Sequence, residues 1–116
     1  MNIKLVLDAI EAETGIKPIP FSSKHANKFP AITYQAYKTS DDGVKEMWRL
    51  QLRISDKSYV SSLGLEKQLS DLLCTVGDEE KFECLQIALN GGGTLEDDLT
   101  GVPQIISYYD ILARSL

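Results

Sequence analysis

Four groups of residues carry side chains from which chemistry could be built. The first lies in Leu89–Gly101, LNGGGTLEDDLTG, where three glycines run directly into Glu96, Asp97 and Asp98. A phosphate loop needs a lysine after its glycines and a helix opening behind them, because backbone amides and a helix N-terminus hold the anion. Here carboxylates follow, and they would repel phosphate. A calcium loop sets oxygen ligands at alternate positions, with a glycine at the sharp turn and a distal glutamate. Three contiguous acids throw Asp97 to the side opposite Glu96 and Asp98. The stretch therefore reads as a bending, solvated connection between two strands.

The second group is Glu79 and Lys81, the acid-x-lysine spacing of some metal-nuclease strands, with Asp41, Asp42 and Asp98 as further ligands. The pattern is short and arises easily by chance, and a turn already accounts for Asp41 and Asp42. The third is His25, the only histidine, close behind Ser22 and Ser23. That proximity within a loop does not imply a nucleophile–base pair with a third orienting acid. The fourth is Cys74 and Cys84, each among apolar residues and expected to be buried, reduced and metal-free. No catalytic residue, metal site or cofactor is assigned, and the chain is not expected to be an enzyme.

Bulk properties narrow the field. The 116 residues are 43% hydrophobic and are expected to form a single domain, 1–116. A net charge of -5 argues against attraction to a nucleic-acid backbone. The five tyrosines read as packing and partner contacts ahead of base stacking, and Arg49 and Arg53 as partners of nearby acids. The N-terminus carries Asp8 and Glu11 inside its apolar pattern, so it does not read as a signal peptide, and no apolar run is long enough to span a membrane.

The elements that must position these residues follow from periodicity. Ile3, Val6, Leu7 and Ile10 mark a first helix, with Asn2 to cap it and Gly15 to end it. Pro18 and Pro20 keep residues 17–21 extended, at an edge or across the surface. Ile32, Tyr34 and Ala36 share one face of a strand. Ser40, Asp41, Asp42 and Gly43 form a turn signal. After it Trp48, Leu50, Leu52 and Ile54 alternate with Met47, Arg49, Gln51 and Arg53, which predicts an antiparallel hairpin with one face packed.

A helix is expected over about 58–75, with Leu65, Leu69, Leu72, Leu73 and Val76 on its stripe. Gly64 weakens its middle and suggests a late start, and Gly77 and Asp78 would end it. Residues 81–89 read as a strand. The stretch from Val102 onward reads as a long final strand, apolar on both faces and so central or covered by a partner. Together these predict an α+β fold: an antiparallel sheet with helices packed mainly on one face.

This ordering resembles the tail terminator (tail completion) proteins of long-tailed siphophages over nearly the whole length. The similarity lies in the IKLVLDAIEAETG helix, the KFPAITYQAY and MWRLQLRIS strands and the LEKQLSDLL helix. It continues through the strand-loop-strand around GGGTLEDDLTG to the closing SYYDILARSL strand. The resemblance implies a homohexameric ring at the tail–head junction of the virion, assembled in the host cytoplasm. Such a ring caps the major tail tube protein and meets the head connector protein. DNA passes through it without specific binding, and no membrane is involved.

On that reading Glu96, Asp97 and Asp98 would line the ring's hole or rim, with an outward solvated loop as the alternative. The hairpin tip Ser40, Asp41, Asp42, Gly43 and Val44 would face the tube or connector. A head-closure or connector neck protein, a small metal-dependent nuclease and a dimeric binding module are the competing expectations.

Overall fold

A computed structural model describes residues 2–21, 30–77, 79–96 and 103–115. Helix α1 spans Ile3–Thr14. The Asn2 side chain accepts the Lys4 amide at its start, and Gly15, at φ 72°, closes its end by donating to the Glu11 carbonyl. Strand β1, Ile19–Pro20, pairs in parallel with β2, Ala31–Asp41, at one edge of the sheet. The prolines require such a place. Strand β3, Lys45–Ser55, returns antiparallel to β2 as the alternation predicts.

Helix α2 spans Tyr59–Leu73, capped by the Ser58 hydroxyl, which accepts the Ser61 amide. It runs through Gly64 from the start, so the expected late start does not occur. It also ends sooner than expected. Cys74 is already extended, and Thr75–Val76 form the short strand β4 against Gln86 and Ile87. The β-branched pair suits a strand better than a last helical turn. Val76 is consequently 78% exposed and does not belong to the helix stripe.

A second correction follows at once. Residues 81–85 are not a strand. Glu79–Phe82 make one helical turn, α3, and Glu83 takes a positive φ of 53°. The turn folds Phe82 and Cys84 into the core. It also lets the Lys81 ammonium donate to the Leu72 carbonyl at 2.6 Å, which satisfies an otherwise orphaned group near the end of α2.

Strands β5, Gln86–Glu96, and β6, Pro103–Arg114, complete a six-stranded sheet of order β1-β2-β3-β6-β5-β4. The fold is α+β, with a mostly antiparallel sheet and helices packed against it, and β6 is central as expected. Between the pairs Leu89–Tyr109 and Gly92–Ser107, two residues of β5, Asn90 and Gly91, oppose one of β6, Tyr108. The glycines therefore sit inside a strand at a β-bulge and are not the connection between strands. β2 carries a similar extra residue at Thr39, whose hydroxyl donates to the Met47 carbonyl.

The core lies between one sheet face and the helices. Ile32, Leu50, Leu52, Ile54, Ile87 and Ile111 meet Val6 and Ile10 of α1, Leu69 and Leu73 of α2, and Phe82. Full burial of such side chains is worth about 1.5–3 kcal/mol each.

Two glycines make opposite predictions. A Cβ at Gly92 would stand 2.2 Å from the Ile106 carbonyl oxygen on the neighbouring strand, whereas a Cβ at Gly64 meets nothing within 4 Å. In urea titrations Gly92→Ala should lower stability by about 1–3 kcal/mol. Gly64→Ala should raise it by about 0.4–1 kcal/mol.

Candidate functional site

Among the described residues, three surfaces carry exposed apolar or charged groups that could meet something else. The first is the β2–β3 hairpin tip. Ser40 and Asp41 belong to β2, so the turn itself is tighter than Ser40–Gly43. Asp42 donates its amide to the Lys45 carbonyl, and Gly43 takes the φ of 86° that the two-residue loop demands. The Asp42 carboxylate accepts the Val44 and Lys45 amides at 2.8 and 2.7 Å.

The Asp41 carboxylate accepts the Gly43 amide at 2.9 Å and the Ser115 hydroxyl at 2.8 Å, and pairs with Lys38 at 3.1 Å. Both acids are thus consumed in stiffening the tip and tying it to the end of β6. Val44 stands out from it, 67% exposed. Behind the tip Glu46 is buried, accepting from the Trp48 indole at 2.9 Å and facing Lys38 at 3.4 Å.

The second surface is a groove of about 330 Å³ beside α2, walled by Leu63 and Glu66 and by Leu89, with Gly91–Thr94 as floor. It exists because the helix stripe buries Leu69 and Leu73, while Leu63 and Glu66 lie on the flank toward β5, where the glycines supply no side chain to meet them. Glu66 is half-buried and makes no ion pair among the described residues. Nearby, burial pushes the Tyr109 phenol up, and Cys74 and Glu66 add to this. The Ser70 and Ser107 hydroxyls approach it without completing a hydrogen bond.

The third surface is the sheet face opposite the helices. Arg49 pairs with Asp110 at 3.0 Å, as expected of an arginine with an acid at hand, and lies over the Tyr108 ring at 5.9 Å. Burial pushes the Asp110 carboxyl up, but the bonds from Arg49 and Asn90 hold it below its usual range. Arg53 does otherwise than expected: it stacks on the Phe21 ring at 4.9 Å, and its Nε is buried with no hydrogen-bond partner among the described residues. Tyr37, Met47 and Leu112 add to this face, and tyrosine, methionine and arginine are the residues enriched at protein interfaces.

The remaining sequence candidates lie on separate elements or outside the described residues. Glu96 ends β5, and Asp97 and Asp98 lie outside the described residues, as do Ser22, Ser23 and His25. Glu79 and Lys81 sit on a helical turn instead of a nuclease-like strand. Among the described residues no three His, Cys, Asp or Glu side chains group to hold a metal ion. Cys84 is buried, with its thiol pushed up by burial, but Cys74 is exposed, against expectation, because α2 ends beneath it. A further groove of about 380 Å³ between α1 and β1 is lined by Leu7, Pro18, Ile19 and Tyr34, and its Lys4 and Asp8 pair with each other.

Sequence reasoning missed Leu63, Glu66 and Leu89. The signal was present: Val60 and Leu63 are apolar residues off the Leu65–Leu69–Leu72 stripe of the same helix.

The tip yields a pH prediction. The Gly43 amide, then Ser115 and Lys38, hold the Asp41 carboxyl at about 2, below its ordinary 3.8. Its contribution to the folded state is therefore complete above the ordinary value and is lost as pH falls through about 2. Carbon-detected NMR should place the Asp41 midpoint near 2 and move it upward in Ser115→Ala. A midpoint at the ordinary value would mean that the tip is not stitched as described.

A comparison with known protein families finds no family model that matches this chain, and a comparison with curated proteins finds no match.

Proposed function

We propose that this chain is a structural protein of the phage virion, a tail terminator whose copies close into a homohexameric ring. The ring caps the tail tube and joins it to the head connector. One observation supports the reading: among the described residues the helices and sheet leave surface open to neighbours. The helices cover one sheet face but leave a glycine-floored groove beside α2, and the other face presents Tyr37, Arg49, Tyr108 and Met47. A sheet covered this way gains most from neighbours placed against it, and a head-to-tail arrangement of identical copies closes into a ring when the rotation permits. The resemblance of the element order to siphophage tail terminators points the same way.

In such a ring Glu96, Asp97 and Asp98 line the hole or its rim. An acidic wall suits a conduit, because a basic one would hold DNA by releasing counterions.

Light scattering after size-exclusion chromatography and negative-stain microscopy test the reading, on the protein alone and with polymerised tail-tube protein. Hexameric rings, free or seated on tube ends, are the expected result, and a monomer in both conditions would overturn it. Replacing Glu96, Asp97 and Asp98 by lysine should make rings retain duplex DNA at low salt. Unchanged retention would remove the acids from the hole.

A further inference from the structure

The hairpin tip and the groove beside α2 fit each other. We propose that Val44, at the tip of one copy, seats in the glycine-floored groove of a second copy, with Lys45 of the first paired to Glu66 of the second. This rests on the self-assembly part of the reading above and names the contact that would carry it.

The groove asks for an occupant with an apolar end and a cation. Its walls are Leu63 and Leu89, each more than 40% exposed, and its floor is bare backbone at Gly91–Gly93. The Glu66 carboxylate on its wall is half-buried beside apolar side chains and lacks an ion pair among the described residues. A partly desolvated carboxylate in that position gains from a cation.

The tip offers both groups side by side. Val44 is 67% exposed, and the Lys45 side chain is exposed and makes no ion pair among the described residues. Of the tip's two acids, Asp41 is ion-paired with Lys38, and Asp42 is held on the Val44 and Lys45 amides, which fixes its position without removing its charge. The tip is also held in shape before it binds, so little ordering cost remains.

Distance excludes the same contact within one chain. The groove's β6 wall, Ile105–Ser107, stands opposite Ile54–Leu52 of β3, seven to nine positions along the strand from Lys45. At about 3.3 Å per residue the separation is about 25 Å. The described residues extend 44 × 23 × 23 Å, so knob and groove lie toward opposite ends of the long axis. A knob at one end and its groove at the other allow a head-to-tail contact between copies, and the same contact made twice would close a two-fold pair, so the oligomer found in solution decides between ring and pair.

Addition of a strand to a free sheet edge is the competing way to join copies, and the structure disfavours it. The open lengths of β2 and β5 each carry a bulge, at Thr39 and at Asn90–Gly91, and bulges blunt an edge against pairing. The contact also moves the tip from the tube- or connector-facing surface expected from sequence to a surface between copies.

The test is a charge exchange read by sedimentation velocity, with tail-tube protein present if the free chain is monomeric. Lys45→Glu and Glu66→Lys should each weaken self-association by about tenfold or more, and the double variant should restore most of it. Neither residue is in the core, and circular dichroism checks that each variant folds.

A second measurement uses a Cys74→Ser background. Val44→Cys protein mixed with Leu63→Cys protein should give a disulfide-linked pair under mild oxidation, and neither should do so alone. Self-association with no effect of the charge changes and no mixed disulfide would overturn this contact and leave the ring reading standing. A chain that remains monomeric even with tail-tube protein would overturn both.

Discussion

The ladder between β3 and β6 is the constraint on which the rest of the structure depends. Eleven consecutive pairs run from Lys45 opposite Arg114 to Ser55 opposite Gln104 without a break in register. Because side chains alternate along each strand, that register puts Leu50, Leu52 and Ile54 on the same face as Tyr109, Ser107 and Ile105. A slip of one residue would turn the apolar set toward water and leave α2 nothing to pack on. The opposite phase is fixed by the same ladder, which is why Arg49 falls directly across from Asp110 and can pair with it.

The outer strands are irregular where the central pair is regular, and the irregularity has consequences. On β5 the bulge shifts the strand by one residue at Asn90–Gly91, and Gly92 then lies so close to the Ile106 carbonyl that no side chain fits. The strand gains close approach to β6 but loses the side chains that would have filled the space beneath α2. The groove is therefore a by-product of backbone packing. Its openness follows from three adjacent glycines as directly as the buried core follows from alternating leucines and isoleucines.

Much of this was legible in the sequence. Asn2 and Gly15 bound α1, the Met47–Ile54 alternation gives the faces of β3, and the two-sided apolar pattern of residues 105–112 marks a central strand. These are local rules that tertiary context happens to respect. Where context intervenes, the sequence signal fails in identifiable ways. Leu72, Leu73 and Val76 satisfy a helical period, yet the chain leaves the helix at Cys74 because β5 offers Thr75 and Val76 a partner. Phe82 and Cys84 alternate like strand residues, yet a single helical turn buries both. The three glycines read as a connection because glycine supplies no pattern, and only the β6 partner shows them to be inside a strand. Glu66 was invisible for a similar reason: a glutamate on a helix reads as solvated until the neighbouring strand is seen to bring no charge to it.

The two kinds of surface suit different tasks. On the sheet face opposite the helices Arg49 has Asp110, and Asp110 also holds Asn90. A partner meeting that face finds an aromatic platform on which Arg49 is balanced by Asp110 while Arg53 lies over the Phe21 ring. At the tip and the groove the charges are unsettled, with Lys45 at one end of the molecule and Glu66 toward the other. Unsatisfied groups of opposite sign at opposite ends bias encounters toward one polarity, because head-to-head and tail-to-tail meetings place like charges together. Opposite ends meeting satisfies both charges, whether the copies follow one another in one direction or lie antiparallel across a two-fold axis.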